Sequence, residues 1–150
     1  MSEKKNENGY KGRFREIAAV LHKHEISKGI TPEKLRLILE DLGPTFVKVG
    51  QLMSLRSDIL PKNYCDELQK LCSDVPPMPF YEVEEVLRDS FGYEWQEEFE
   101  WIDETPLGSA SIAQVHRARL KTGEEVVIKV QRKGIYETMA RDIGLMHKLV

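Results

Sequence analysis

Residues 106–131, with the sequence PLGSASIAQVHRARLKTGEEVVIKVQ, decide the fold, because they predict two β-strands and the loop that opens them. Along residues 114–120, alternate side chains fall on opposite faces of an extended strand. Residues 121–124 predict a turn, since they contain a glycine that adopts positive φ without steric cost. The β-branched run in residues 125–130 predicts a stiff and largely buried second strand. The segment therefore predicts an antiparallel hairpin that fixes Lys129 near its end.

The loop that opens this hairpin has the spacing of a phosphate-binding loop. In the pattern G-x-G-x-x-G-x-V of protein kinases, the backbone covers the ATP phosphates, and a lysine on a later strand contacts the α and β phosphates. On this spacing the chain places Gly108, Ala110, Ala113 and Val115, followed by Lys129. Two of the three glycines are alanines. The strand pattern alone also fits a second interpretation, in which Lys129 only protects an edge strand.

The composition of the 150-residue chain limits the class of protein. The chain is 41% hydrophobic and 31% charged, with a formal net charge of -3. Its length suffices for one modest domain, or for a helical segment and part of a second domain. The charge balance gives no overall basic field, which argues against nucleic acid as a partner. Acidic residues are concentrated in residues 82–104, whereas residues 117–133, around the predicted phosphate site, are basic.

The two cysteines indicate a reducing compartment. Cys65 and Cys72 lie seven residues apart on a predicted helix, too far apart for a disulfide within that helix. Because no secretory signal and no further Cys or His at metal-binding spacing occur, we expect reduced thiols, a cytoplasmic location and no metal site in this segment. The apolar runs are much shorter than the roughly 20 residues of a membrane span.

Most of the chain before residue 99 predicts helices. Residues 1–12 are polar and lack periodicity, so we expect a disordered tail. Residues 13–28 predict an amphipathic helix with Phe14 on its apolar stripe; docking on the core and association with a membrane surface both fit it. Further helices are predicted at residues 31–42, at residues 45–55, after Pro61, at residues 80–90 and at residues 134–150. Phe91 and Ile143 are among the residues expected to be buried.

The order of these elements predicts an α+β fold. Residues 99–103 alternate as a first strand does, and they lead into the loop. We expect a helical extension at residues 13–98, packed on an incomplete antiparallel sheet at residues 99–150. Three strands and one unfinished helix make a poor independent domain, so we expect the native chain to continue beyond Val150.

Four motifs in order give this chain a family resemblance. They are LGPTFVKVGQ at residues 42–51, SLRSDILP at 54–61, GSASIAQVH at 108–116 and VVIKVQRKGI at 126–135. Together they resemble the KxGQ motif, the segment after it, the alanine-rich loop and the lysine-bearing strand of the UbiB family. This family, also called the ABC1 or AarF-domain family, consists of atypical protein-kinase-like proteins.

The resemblance implies a kinase-like N-lobe and assigns roles to particular residues. Lys48, Gly50 and Gln51 of the KxGQ motif would gate the active site, although helical periodicity alone places Lys48 and Gln51 on an outer face. Lys129 would be the catalytic lysine. The nucleotide-binding residues would be Gly108, Ser109, Ala110, Ser111, Ile112, Ala113, Val115 and Lys129. Only Ala110 remains of the usual three alanines before the serine, so the nucleotide preference that the family loop implies is less firmly carried over.

The resemblance also implies chemistry and partners. Members bind ATP with a divalent metal, expected here as Mg²⁺, and act as ATPases or small-molecule kinases in ubiquinone or other prenyl-lipid biosynthesis at membranes. A prenyl-lipid or quinone precursor is the implied substrate. A catalytic-loop Asp and a metal-binding Asp in a DFG-like motif are absent from these 150 residues, so we expect the segment alone to be inactive. A regulatory pseudokinase and a helical interaction module without turnover remain alternatives.

Overall fold

The computed structural model describes residues 2–71 and 75–149, and side chains are described for residues 9–71 and 75–148. The described residues form an α+β fold, as predicted. In chain order, the elements are α1 (Ser2–Lys23), α2 (Pro32–Leu42), α3 (Pro44–Met53), α4 (Lys62–Leu68), α5 (Phe80–Phe91), β1 (Phe99–Ile102), β2 (Gly108–Ser109), β3 (Ala113–Leu120), β4 (Glu125–Gln131) and α6 (Ile135–Leu149), with 3-10 turns at Ile26–Lys28 and Trp95–Glu98.

The chain divides into two compact units, Met1–Leu71 with Tyr136–Val150, and Cys72–Ile135. The first unit is helical and contains α1 to α4 and nearly all of α6. The second contains α5 and the four-stranded sheet. The domain boundary expected between residues 98 and 99 stays a prediction for the whole protein; in this structure α5 belongs with the sheet and α6 with the helices.

The sheet of the second unit is centred on β3. This strand pairs antiparallel with β4 along its whole length, with β2 near its N-terminal end and with β1 near its C-terminal end. Gly123 has φ +96° in the turn between β3 and β4, which explains why a glycine is needed there. The predicted hairpin is therefore confirmed. The sequence missed only β2, which is two residues long.

One face of the sheet carries the core of the second unit. Val83 and Leu87 of α5 are buried against this face together with Trp95. The remaining buried members of the cluster are Met78, Phe99, Ala118 and Val130. Phe91 was expected in this core but is 59% exposed, because it lies at the last residue of α5 and contacts Phe99 only edge-on, at a centroid distance of 6.2 Å.

Local sequence signals set the helices of the first unit. Thr31 caps α2, since its Oγ1 accepts a hydrogen bond from the Lys34 N–H, and Pro32 occupies the first helical position. Cys65 is buried and carries a free thiol, as expected, whereas Cys72 lies outside the described residues. Within residues 2–71 and 75–149, no helix has both the length and the apolar character that crossing a bilayer requires.

Two expectations for α1 and α6 are wrong. The helix α1 begins at Ser2, so the described part of residues 1–12 is not a disordered tail. Near the end of this segment, Tyr10 contacts α6, with the Lys148 Nζ 4.4 Å from its ring centroid. The buried faces also differ from the predicted stripes: Phe14 is 52% exposed and Ile143 is 54% exposed. The preceding polar residue is buried instead in each case, Arg13 in α1 and Asp142 in α6.

Candidate functional site

Three of the predicted site residues lie in line across the sheet. Gly108 of β2 pairs with Val115 of β3, and Val115 pairs with Lys129 of β4. Directly paired residues on antiparallel strands share a face, so these three residues share the face opposite the core. Neighbouring strands lie about 4.8 Å apart, which places the glycine of the loop and the lysine roughly 10 Å apart. The sheet thus brings together the loop and the lysine that the sequence predicted.

The face that carries Lys129 is open to solvent. Lys129 is exposed, and Val127, two residues earlier on the same face, is 60% exposed. The expectation that β4 is largely buried is therefore wrong, because α5 covers only one side of the sheet and alternate residues of β4 point to the other side. A lysine on a stiff strand with an open face can meet a ligand from solvent.

Two other basic residues of the second unit, Arg119 and Lys133, have acidic partners. Arg119 pairs with Glu125, its neighbour on β4, at 3.0 Å, and Lys133 pairs with Glu85 of α5. The hydrogen bond with Lys133 lowers the pKa of Glu85 and raises the pKa of Lys133. Lys129 takes part in no ion pair among the described residues.

The loop between β2 and β3 is a tight hairpin. The Ala110 N–H donates to the Ala113 carbonyl at 2.8 Å, so Ser111 and Ile112 form its two-residue tip. At its other end, the Ser109 carbonyl accepts from the Val75 N–H at 3.1 Å. These hydrogen bonds give the loop a defined backbone without the two glycines that the kinase pattern would supply.

Arg132, which follows β4, holds this loop by hydrogen bonds, and no pattern in the sequence predicts this role. Its Nε donates to the Ala110 carbonyl at 2.9 Å, and its Nη2 donates to Ser109 Oγ at 2.7 Å and to the Pro76 carbonyl at 3.0 Å. Its backbone N–H donates to the Ile112 carbonyl at 2.9 Å. Strand alternation from Val130 could have shown that Arg132 lies on the opposite side from Lys129, but not that it reaches back to the loop.

Two buried polar residues at the start of β3 were also missed. Gln114 and His116 are both 0% exposed, on the core face of the sheet. Gln114 bonds to the Met78 backbone through Oε1, at 2.6 Å, and to His116 Nε2 through its amide nitrogen, at 2.9 Å. His116 Nδ1 lies 2.7 Å from the Asp103 carbonyl. These bonds tie the backbone segment before α5 to the strand that follows the loop.

The KxGQ motif lies on α3, in the first unit. Lys48 is exposed, Gln51 is half-buried and Gly50 is buried. The gating role of Lys48 and Gln51 stays a prediction. The glycine has a packing reason of its own, because a Cβ built on Gly50 would lie 2.7 Å from Leu39 Cδ1 and would also clash with Leu71 Cδ1.

Replacing this glycine tests its packing role. Gly50→Val is expected to reduce the free energy of unfolding by about 1–3 kcal/mol, because the buried Leu71 and the half-buried Leu39 side chains must move. Gly12→Val is the matched control: Gly12 is also helical, and a Cβ there has no neighbour within 4 Å. Thermal unfolding followed by circular dichroism measures both variants. Equal destabilisation by the two substitutions would contradict the packing argument.

Asp142, one of the two acids of α6 that could have served a nucleotide site, is committed to an ion pair. Its carboxylate accepts from Arg13 Nε at 2.7 Å and from Arg13 Nη2 at 3.1 Å. Burial opposes the charged guanidinium, but the hydrogen bonds that Arg13 donates to Asp142 and Glu16 outweigh it and raise the pKa of Arg13. Asp142 thus serves to hold α6 to α1. The other acid, Glu137, is exposed.

The fold and the site define the class of an atypical kinase-like domain: an antiparallel sheet with a loop in which alanines replace glycines and a lysine on the strand beyond it. Comparison with known families gives the same result. The family model of the ABC1 atypical kinase-like domain matches residues 70–150. The chain belongs to this family, which confirms the resemblance found in its motifs.

Curated relatives agree with this assignment. The chain is 47% identical over 120 residues to an uncharacterized protein from the hydrogenase 1 5′ region of Clostridium pasteurianum, covering 80% of this chain and 23% of that protein. It is 48% identical over 120 residues to a protein named probable protein kinase UbiB from Pseudomonas putida strain GB-1, with 80% and 22% covered. For the protein of the same name from Marinobacter nauticus, the identity is 42% over 123 residues, with 82% and 22% covered.

The chain spans less than a quarter of the length of these curated relatives. Among solved structures, the Rv3197–erythromycin complex from Mycobacterium tuberculosis matches with 36% identity and a TM-score of 0.47. That match covers 74% of this chain and 29% of the other.

Proposed function

We propose that this chain supplies the phosphate-binding part of an ATP site in a kinase-like protein. Lys129 contacts the α and β phosphates, and the loop of residues 108–113 covers them. The observation that carries the proposal is the register that aligns Gly108, Val115 and Lys129 on the open face of the sheet. An ammonium group held on a strand offers a triphosphate a charge-assisted hydrogen bond, which is about twice as strong as a neutral one.

The surroundings of Lys129 suit the rest of a nucleotide. Val115 pairs directly with Lys129, and Val127 lies two residues before it, so two apolar side chains flank the ammonium group on the same face. Small-molecule sites combine such apolar surface with a few placed polar groups. We assign these valines to the base and ribose side of the ATP, and Lys129 to its phosphates.

For the whole protein, we propose an ATPase or small-molecule kinase that supports ubiquinone or other prenyl-lipid biosynthesis at a membrane surface in the cytoplasm. What supports this wider proposal is family membership and relatives that carry the name UbiB. The described residues contain no group of three His, Cys, Asp or Glu that could hold a metal ion. In this proposal, Mg²⁺ binds together with the phosphates of ATP, and the 150 residues alone do not turn ATP over.

Lys129→Ala tests the site directly. It is expected to weaken ATP binding by about 10- to 100-fold, since a hydrogen bond to a charged group is worth about 1.5–3 kcal/mol. Isothermal titration calorimetry of full-length protein with ATP and Mg²⁺ measures the effect. Lys121→Ala is the control, because Lys121 is an exposed lysine at the other end of the same hairpin.

Three results would oppose the proposal, and they differ in scope. Wild-type protein that fails to bind ATP at millimolar concentration would remove the proposed function. ATP binding that Lys129→Ala leaves unchanged would remove only the role of Lys129. Binding that falls equally in the Lys121 control would show a general charge effect instead of a site.

A further inference from the structure

Arg132 connects two separate parts of the second unit, the loop between β2 and β3 and the segment before α5. Its guanidinium group bonds to Ser109 and Ala110 in the loop and to Pro76 in the segment before α5. Its backbone N–H bonds to Ile112 at the tip of the loop. Arg132 comes three residues after Lys129 on the same stretch of chain, so one short segment carries both the lysine and the group that fixes the loop.

These hydrogen bonds determine which way the loop presents its donors. The Ala110 carbonyl points to the Arg132 Nε, and the described chain has no cis peptide bond. In a trans peptide the carbonyl and the N–H point in opposite directions, so the Ser111 N–H points away from Arg132. Ser109 Oγ accepts from Arg132, and Ser109 pairs with the buried Gln114, so its side chain lies on the same side of the sheet as Arg132.

We propose that Arg132 is a positioning residue for nucleotide phosphates. By holding the Ala110 carbonyl and Ser109 Oγ, it aims the Ser111 N–H at the phosphate groups. This inference rests on the proposed function, since it concerns the same loop. Arg132 acts through the loop, because three protein acceptors already occupy its Nε and Nη2 donors.

The geometry requires an arginine and not merely a positive charge. A guanidinium group presents five N–H donors in a rigid planar fork, and here three of them meet acceptors from two different segments. A lysine ammonium is a compact group on a flexible stem and does not reproduce this fork. Lysine at position 132 is therefore expected to keep the charge and lose the orientation of the loop.

The test compares nucleotides with and without phosphates. Full-length wild-type protein and the variants Arg132→Gln and Arg132→Lys are titrated with ATP, ADP and adenosine, the last by displacement of bound ATP. Both variants are expected to bind ATP and ADP about tenfold more weakly, with adenosine binding within about twofold of wild type. Ser109→Ala, which removes one of the three side-chain acceptors of Arg132 and keeps the other two, is expected to lose about threefold for ATP.

Lys133→Gln is the matched control, since it removes a neighbouring positive charge that pairs with Glu85 instead of the loop. It is expected to bind all three ligands as wild type does. If Arg132→Gln binds ATP as tightly as wild type, while Lys129→Ala still weakens binding, the role of Arg132 is overturned and the proposed function stands. Equal losses for ATP and adenosine also overturn it, because they indicate a purely structural role. Wild-type protein that binds no ATP overturns both.

Discussion

Asp142→Ala is expected to lower the free energy of unfolding by about 3–5 kcal/mol, because it leaves the Arg13 guanidinium buried without its main partner. The carboxylate of Asp142 is 0% exposed and the side chain of Arg13 only 10% exposed, so water cannot replace the lost bonds. Arg13 retains Glu16, which is largely exposed, and the Leu42 carbonyl, to which its Nη2 donates. Neither supplies the two-point contact that a carboxylate makes with Arg13 Nε and Nη2.

The double variant Arg13→Met with Asp142→Leu separates the charge from the contact. Replacing a buried ion pair by apolar residues of similar size is often neutral or stabilising. The double variant is therefore expected to be more stable than Asp142→Ala. Asp58→Ala, which breaks an exposed pair with Arg56, is expected to change the unfolding midpoint little. Chemical denaturation followed by the helical circular dichroism signal measures all three, and a small loss in Asp142→Ala would show that the pair is not a structural anchor.

The hairpin and its lysine could be predicted from sequence because their signals are local. A strand alternates with period two, a turn glycine takes positive φ, and β-branched residues favour extended backbone. The pairing of Val115 with Lys129 follows once the turn at residues 121–124 is placed. For the same reason, the cap at Thr31 and the start of α5 after Pro79 could be read from the sequence.

The buried polar residues could not be predicted because periodicity counts only apolar residues. Arg13 and Asp142 are buried beside the apolar stripes of their helices, and Gln114 and His116 are buried on the strand face of Ala118, although all four are polar. Their partners are distant in the chain: 129 residues separate Arg13 from Asp142, and 36 separate Gln114 from Met78. Such pairs require the tertiary structure, and they shift the buried face of a helix by one residue relative to the apolar stripe.

The contact of Arg132 with the loop is also a polar contact between residues that are distant in the chain. Its acceptors Ser109 and Ala110 are 23 and 22 residues away, and two of its three side-chain acceptors are backbone carbonyls, which carry no sequence signal. The sequence therefore predicted the hairpin that carries Lys129 and the loop that opens it, but not that Arg132 holds this loop. The register of the sheet shows that Gly108, Val115 and Lys129 are aligned, and the hydrogen bonds of Arg132 show how the loop is held.

Gln114→Leu is expected to lower the free energy of unfolding by about 3 kcal/mol. Leucine fills much of the same volume, but it leaves the Met78 N–H and His116 Nε2 buried without partners, at about 1–3 kcal/mol for each group. Because the Asp103 carbonyl can only accept, His116 Nδ1 carries the proton of that bond and Nε2 must accept from the Gln114 amide. A leucine at position 114 offers His116 no donor.

Gln131→Leu is the matched control, since Gln131 is an exposed residue of the same hairpin. It makes the same chemical change without removing a buried hydrogen bond. Chemical denaturation followed by fluorescence suits this pair, because Trp95 is buried in the core of the second unit. If Gln114→Leu unfolds at the same denaturant concentration as Gln131→Leu, the buried network does not hold the segment before α5 to β3. Since Arg132 bonds to Pro76 in that same segment, a loosened segment is also expected to weaken the support of the loop.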